Sequence, residues 1–161
     1  MAIAYIALGS NLKQPAQQVK NALEALHTLL ESQVLQASSL YQTAPLGYDN
    51  QPDFINAVAS VETQLEPQAL LDALLAIEQQ FGRERPFANA PRVLDLDLLL
   101  YAQVEMQTPT LTLPHPRMHE RGFVMLPLAE IAPELILPNG MSVVELVSQC
   151  QQQGVQKLTG H

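Results

Sequence analysis

The chain is 161 residues long and 47% hydrophobic, with a formal net charge of −8 and a pI near 4.8. That acidity argues against general attraction to nucleic acid or anionic lipid. The apolar residues form no run of about 18 that would span a membrane, and the amino terminus lacks the segments of a signal peptide. The expectation is a single cytoplasmic domain over residues 1–161, burying roughly 70% of its unfolded surface around one core. Cys150 has no partner for an internal disulfide and reads as structural.

Ala2 to Leu8 is an apolar run followed by Gly9-Ser10-Asn11, which predicts a buried central strand closed by a turn. That turn lacks the glycine and lysine spacing of a phosphate loop. After Pro15, residues Val19, Ala22, Leu23, Leu26, Leu29 and Leu30 recur at helical spacing and predict an amphipathic helix. Gln33 to Tyr41 reads as a second strand, and the Pro- and Gly-containing stretch from Thr43 to Pro52 as a loop. Phe54 to Thr63 alternates, with Ile55, Ala57, Ala59 and Val61 toward the core and Phe54, Asn56 and Val58 on the other face. An aromatic ring two residues from an amide can stack on and hydrogen-bond a flat heterocycle; such a pair is also common on ordinary sheet surface.

Pro67 opens a second helix carrying Leu70, Leu71, Leu74, Leu75 and Ile77 and ending near Phe81-Gly82. Glu78 falls on its apolar stripe, where an acid is paired, functional, or lifted to solvent at the helix end. From Gly82 to Pro91 the chain becomes charged and Pro-containing, the composition of a mobile loop, and residues 83–91 are a lid candidate. Beyond the strand that follows, Thr108 to Leu113 reads as a short extended segment, Val124 to Ile131 as a helix despite Pro127, and Ser142 to Gln152 as a last helix.

The strand after the lid candidate, within Arg92 to Tyr101, carries Asp95 and Asp97 in an otherwise apolar run. Alternation sends both acids to one face and Leu94, Leu96 and Leu98 to the other, with the two Cα atoms about 6.5 Å apart. Two like charges so placed cost stability unless a cation compensates, and Mg²⁺ held by one or two carboxylates plus substrate phosphates is the usual solution. A bare pair of this kind also occurs by chance on exposed strand faces. All five arginines, Arg83, Arg85, Arg92, Arg117 and Arg121, bracket these aspartates, and the planar guanidinium suits bidentate phosphate recognition. A solvated salt-bridge surface is the other reading. His115, His119 and Glu120 do not have zinc-protease spacing, and hydrogen bonding to phosphate fits the neighbouring arginines better. The order strand, helix, strand, strand, helix, strand predicts an α+β protein: a ferredoxin-like α/β sandwich with a mainly antiparallel sheet and extra C-terminal helices.

Four stretches together resemble the 6-hydroxymethyl-7,8-dihydropterin pyrophosphokinase family: Tyr5 to Leu12, Pro52 to Ala57, Pro91 to Leu98, and Leu113 to Phe123. The resemblance implies transfer of a pyrophosphoryl group from ATP to the pterin's hydroxymethyl oxygen, with release of AMP, in folate biosynthesis. It assigns Asp95 and Asp97 to two Mg²⁺ ions and Arg83, Arg92, His115 and Arg121 to the ATP phosphates, with Arg85 a further candidate. Leu98, Leu111 and Thr112 line the adenine pocket. Phe54 and Phe123 sandwich the pterin, Asn56 reads its edge, and backbone groups at Thr43 and Leu46 complete its hydrogen bonds. Glu78 matches a family acid near the substrates. The implied partners are ATP and the pterin, with no nucleic acid or membrane, and the expected state is a monomer. Two departures stand out: Asn89 occupies a position where some members carry a tryptophan, and Phe54 one where some carry a tyrosine. The rivals are another Asp-x-Asp metal enzyme, such as a nucleotidyltransferase, and a non-catalytic ferredoxin-like binding domain.

Overall fold

A computed structural model describes residues 1–11, 14–43, 53–82, 94–150 and 154–158. In chain order the elements are β1 (Ala2–Ser10), α1 (Pro15–Leu26), β2 (Ser32–Ala37), β3 (Tyr41–Thr43), β4 (Phe54–Thr63), α2 (Pro67–Phe81), β5 (Asp95–Tyr101), β6 (Met106–Gln107), β7 (Thr112–Leu113), a 3₁₀ turn (Met118–Glu120), α3 (Gly122–Ile131), α4 (Val143–Gln149) and β8 (Val155–Lys157). The main sheet runs β5-β1-β4-β3-β8, with β2 also on β4. Each of its pairings is antiparallel. β1 pairs with β4 along its whole length, from Ala2 opposite Thr63 to Ser10 opposite Ile55. This is the expected ferredoxin-like α+β arrangement with extra helices at the carboxyl end.

Helices α1 and α2 cover one face through Val19, Ala22, Leu26, Leu70, Leu74 and Ile77, which meet Ile6, Leu8, Ala57, Ala59, Leu96 and Leu98. The expectation of one core is corrected on the other face. There Ala7, Val58, Leu99 and Leu100 pack against Val124, Met125 and Leu128 of α3 and Val143 and Leu146 of α4. Val58, expected away from the core, is 0% exposed, because α3 and α4 bury the side of the sheet that period-two reading leaves open. Each fully buried aliphatic side chain of this kind contributes about 1.5–3 kcal/mol, so the second core is a substantial part of what holds the carboxyl-terminal helices in place.

Several boundaries also move. β1 continues through Gly9 and Ser10, where a turn was expected, because both residues pair with β4. The expected strand from Gln33 to Tyr41 is two strands. Its register shifts between Val34 and Gln36, and the Ser38 hydroxyl accepts the Val58 N–H at 2.9 Å, giving the chain a side-chain alternative to the ladder. α1 stops at Leu26 in a tight turn whose N–H groups, from His27 to Leu29, reach back only three residues. Leu29 tucks in and Leu30 is 78% exposed. Leu75 is exposed as well, so the buried stripe of α2 is Leu70, Leu74 and Ile77. Thr108 to Leu111 is a turn closed by the Thr108 N–H on the Leu111 carbonyl, and only Thr112–Leu113 is extended. α4 begins at Val143 with Ser142 as its cap, the hydroxyl accepting the Glu145 N–H at 3.2 Å. The lid candidate at 83–91 lies outside the described residues, as do Gln151 and Gln152.

Candidate functional site

β5 begins at Asp95, and its alternation places Asp95 and Asp97 on the α3 face while Leu94, Leu96 and Leu98 enter the opposite core. Asp95 stands opposite Gly9 and Asp97 opposite Ala7 on β1. At the amino end of α3 the sheet opens into a cleft of about 400 Å³. Thr43, Phe54 and Asn56 line it from the sheet, Asp95 and Asp97 from β5, and Arg121 and Phe123 from the start of α3. A second cleft, of about 320 Å³, lies beside β5, with Leu98, Leu111, Thr112 and His115 in its wall. Asp97 lines both clefts and marks their junction.

The first cleft has an unusual polar wall. Thr43 Oγ1 and Asn56 Nδ2 are buried and have no hydrogen-bond partner among the described residues. Such a group forfeits about 1–3 kcal/mol unless something satisfies it. Register places the two on one face as diagonal neighbours, since Thr43 pairs with Phe54 and Tyr41 with Asn56. Gly9 makes room for this amide: a Cβ there would stand 2.7 Å from Asn56 Oδ1. Reading Gly9 as a turn residue missed that role, because nothing near it in the chain points to Asn56. Across the cleft, the Arg121 guanidinium lies over the Phe123 ring at 5.6 Å from its centroid, a cation–π contact. Arg117 and Glu120 also line the cleft; the sequence offered them only as members of an arginine cluster and a rejected zinc pattern.

In the second cleft, His115 is half-buried, and burial lowers its pKa below the usual histidine value; Asp97 opposes that shift, while Arg121 and Arg117 add to it. Its Nδ1 accepts the Arg117 N–H at 3.2 Å. That bond assigns the proton of the neutral ring to Nε2, leaving Nε2–H as the donor. Glu78 is in neither wall. Its carboxylate accepts the Leu96 N–H at 2.6 Å, holding β5 at the residue between the two aspartates. Arg83, Arg85, Arg92 and Leu46 lie outside the described residues.

Residues 5–133 match the family model described as 7,8-dihydro-6-hydroxymethylpterin-pyrophosphokinase (HPPK). The chain belongs to this family. It is 46% identical over 156 residues to the 2-amino-4-hydroxy-6-hydroxymethyldihydropteridine pyrophosphokinase of Pseudomonas aeruginosa, covering 97% of this chain and 96% of that one. It is 49% identical over 149 residues to the protein of the same name in Haemophilus influenzae, covering 92% of this chain and 93% of that one. A crystal structure of an HPPK-DHPS chain in complex with substrates superposes with a TM-score of 0.75 at 13% identity, over 98% of this chain and 48% of the other. A Plasmodium falciparum HPPK-DHPS gives 0.70 at 15% identity, over 92% of this chain and 43% of that one. The chain therefore spans just under half the length of these two solved chains, and the likeness shows the shared fold.

Proposed function

We propose that this chain transfers the pyrophosphoryl group of ATP to the hydroxymethyl oxygen of 6-hydroxymethyl-7,8-dihydropterin and releases AMP, a step of folate biosynthesis. The observation that carries the reading is the pair of orphaned polar atoms, Thr43 Oγ1 and Asn56 Nδ2, beside Phe54 and Phe123 in a cleft that meets a second one at Asp97. A flat heterocycle rich in ring nitrogens satisfies such atoms while its faces stack on the rings. The second cleft, with Leu98, Leu111 and Thr112, takes the adenine of ATP. His115 Nε2–H and the Arg121 guanidinium reach the phosphates, joined by Arg83, Arg85 and Arg92; Leu46 contributes to the pterin through its backbone.

Asp95 and Asp97 share one face and line the cleft, and Glu120 is the other acid in its described wall. That donor set fits Mg²⁺, which takes one or two carboxylates and draws its other ligands from phosphates and water. Asp95 and Asp97 would hold two Mg²⁺ ions there, which would supply charge neutralisation on the triphosphate. The protein's own residues do the positioning. The rings and Asn56 hold the pterin so that its hydroxymethyl oxygen faces the β-phosphorus. A bond forms between them, the bond from that phosphorus to the oxygen shared with the α-phosphate breaks, and its electron pair leaves on AMP. The hydroxyl proton passes to solvent, and fixed guanidinium groups stabilise the charge spreading over the phosphate oxygens. The reading includes a cytoplasmic, monomeric enzyme, and sedimentation of the full chain tests the monomer.

Incubation with ATP, Mg²⁺ and the pterin alcohol is expected to yield AMP and the pyrophosphorylated pterin. Free pyrophosphate with a nucleotidylated pterin would instead identify a nucleotidyltransferase. A second expectation concerns His115. Because its folded pKa lies below the unfolded 6.5, the unfolded chain binds more protons as pH falls through 6.5, and stability drops from there until the folded ring also protonates. His115→Gln should flatten that drop. Denaturant midpoints at pH 5 and pH 7 check it: an equal fall in parent and variant would mean that His115 is not held neutral.

A further inference from the structure

Helix α3 carries Phe123 in its first turn and Glu130 in its last. Seven residues apart, the two share a side of the helix and lie about 10 Å apart along its axis. Pro127 stands between them and offers no N–H to the Phe123 carbonyl, so the helix ladder is interrupted at the residue that bears the ring. Val124, Met125 and Leu128 press α3 onto the sheet. Apolar burial is non-directional, however, and does not by itself select one rotation of the helix.

Directional restraint comes from Glu130. Its two carboxylate oxygens accept the Ser39 N–H at 3.1 and 3.0 Å, and they also accept the Ser39 hydroxyl at 3.0 Å and the Tyr41 hydroxyl at 2.7 Å. Lys157 Nζ, on β8, lies 3.9 Å away. Tyr41 is 5% exposed, and the Glu130 side chain 27%. Burial, the hydrogen bond and the charge of Glu130 all push the Tyr41 hydroxyl well above its usual pKa, so it stays a donor. Burial alone would raise Glu130, but the bonds from Tyr41 and Ser39 outweigh it and hold the carboxylate ionised. Charge-assisted bonds of this kind are short and strong. On the sheet side, Tyr41 stands opposite Asn56 and, two residues on, Thr43 stands opposite Phe54. Neither Glu130 nor Tyr41 lines the cleft.

We propose that Glu130, with Tyr41 and Ser39, is a positioning latch that fixes the rotation and height of α3 over β3 and β4, and so sets the spacing of Phe54 and Phe123 across the pterin slot. The proposal rests on the reading of that slot as the pterin site. Glu130→Gln keeps the shape of the side chain and removes the charge that gathers these donors; Tyr41→Phe removes one of them. Misplacing a binding group by about 1 Å can cost on the order of a hundredfold. A latch that is loosened but not lost should therefore raise the pterin Kd and KM by about five- to tenfold in Glu130→Gln, and by about two- to threefold in Tyr41→Phe. The KM for ATP and kcat should stay within about twofold. The double variant should be no worse than Glu130→Gln by more than about twofold, since the two residues act as one unit. Fluorescence titration of the pterin and steady-state kinetics of both substrates on the full chain read these quantities, and thermal melting of each variant accompanies them. Parent-like pterin affinity in both variants would overturn the latch, as would equal rises in KM for both substrates, even if the melting temperature falls. A parent protein that binds no pterin would overturn the slot reading, and the latch with it.

Discussion

Asp95→Ala or Asp97→Ala is expected to lower kcat/KM by at least about a thousandfold, because each removes a carboxylate that the proposed function assigns to the cation-bound triphosphate, a contribution of several kcal/mol at about 1.4 kcal/mol per factor of ten. Asp97→Ala should be the more damaging of the two, since Asp97 borders both clefts and Asp95 only one. Either deletion also relieves repulsion between two like charges on one strand face, so the loss of activity should far exceed any change in stability. A Mg²⁺ titration of activity separates this role from a general electrostatic one. Each variant should need far more Mg²⁺ for whatever turnover remains, whereas turnover within about tenfold of the parent at unchanged Mg²⁺ dependence would remove the aspartates from the metal site.

What the sequence made legible follows from the range over which each signal acts. Asp95 and Asp97 could be read because alternation is a local rule, and Leu94, Leu96 and Leu98 disclosed which face was buried. Phe54 and Asn56 were visible for the same reason. The second core was not, since Val58 is covered by helices much later in the chain, and α3 is apolar nearly all round, showing little sidedness from which a partner face could be read. Glu78 stood out as an acid on an apolar stripe, yet its partner is the backbone N–H of Leu96, and a backbone group carries no sequence signature. Ser39, Tyr41 and Glu130 left no pattern either: their convergence depends on how α3 lies across the sheet. Local periodicity thus located the cleft-lining residues of β4 and β5, whereas those that hold the elements in register emerged only with the tertiary structure.

Gly9→Ala is the second large effect, expected to reduce kcat/KM for the pterin by roughly a hundredfold while the chain still folds. The added methyl would meet Asn56 Oδ1 at 2.7 Å, far closer than two such atoms tolerate, and the Ile55 carbonyl at 3.9 Å, which is ordinary contact. The strand backbone can therefore stay where it is, and the Asn56 amide must move. Overpacking of this sort costs about 1–3 kcal/mol, which a domain with two cores survives. Recognition suffers more than stability, because a displaced amide leaves both itself and the pterin edge short of a hydrogen bond in a buried slot, and sites built on such pairing discriminate by large factors. ATP should bind as before, since the second cleft does not include Gly9 or Asn56. Calorimetric titration of the pterin and of an unreactive ATP analogue decides the matter. Loss of pterin binding with nucleotide binding retained supports the assignment of Gly9 as the residue that makes space for Asn56; parent-like pterin binding would mean that the amide at position 56 does not read the substrate.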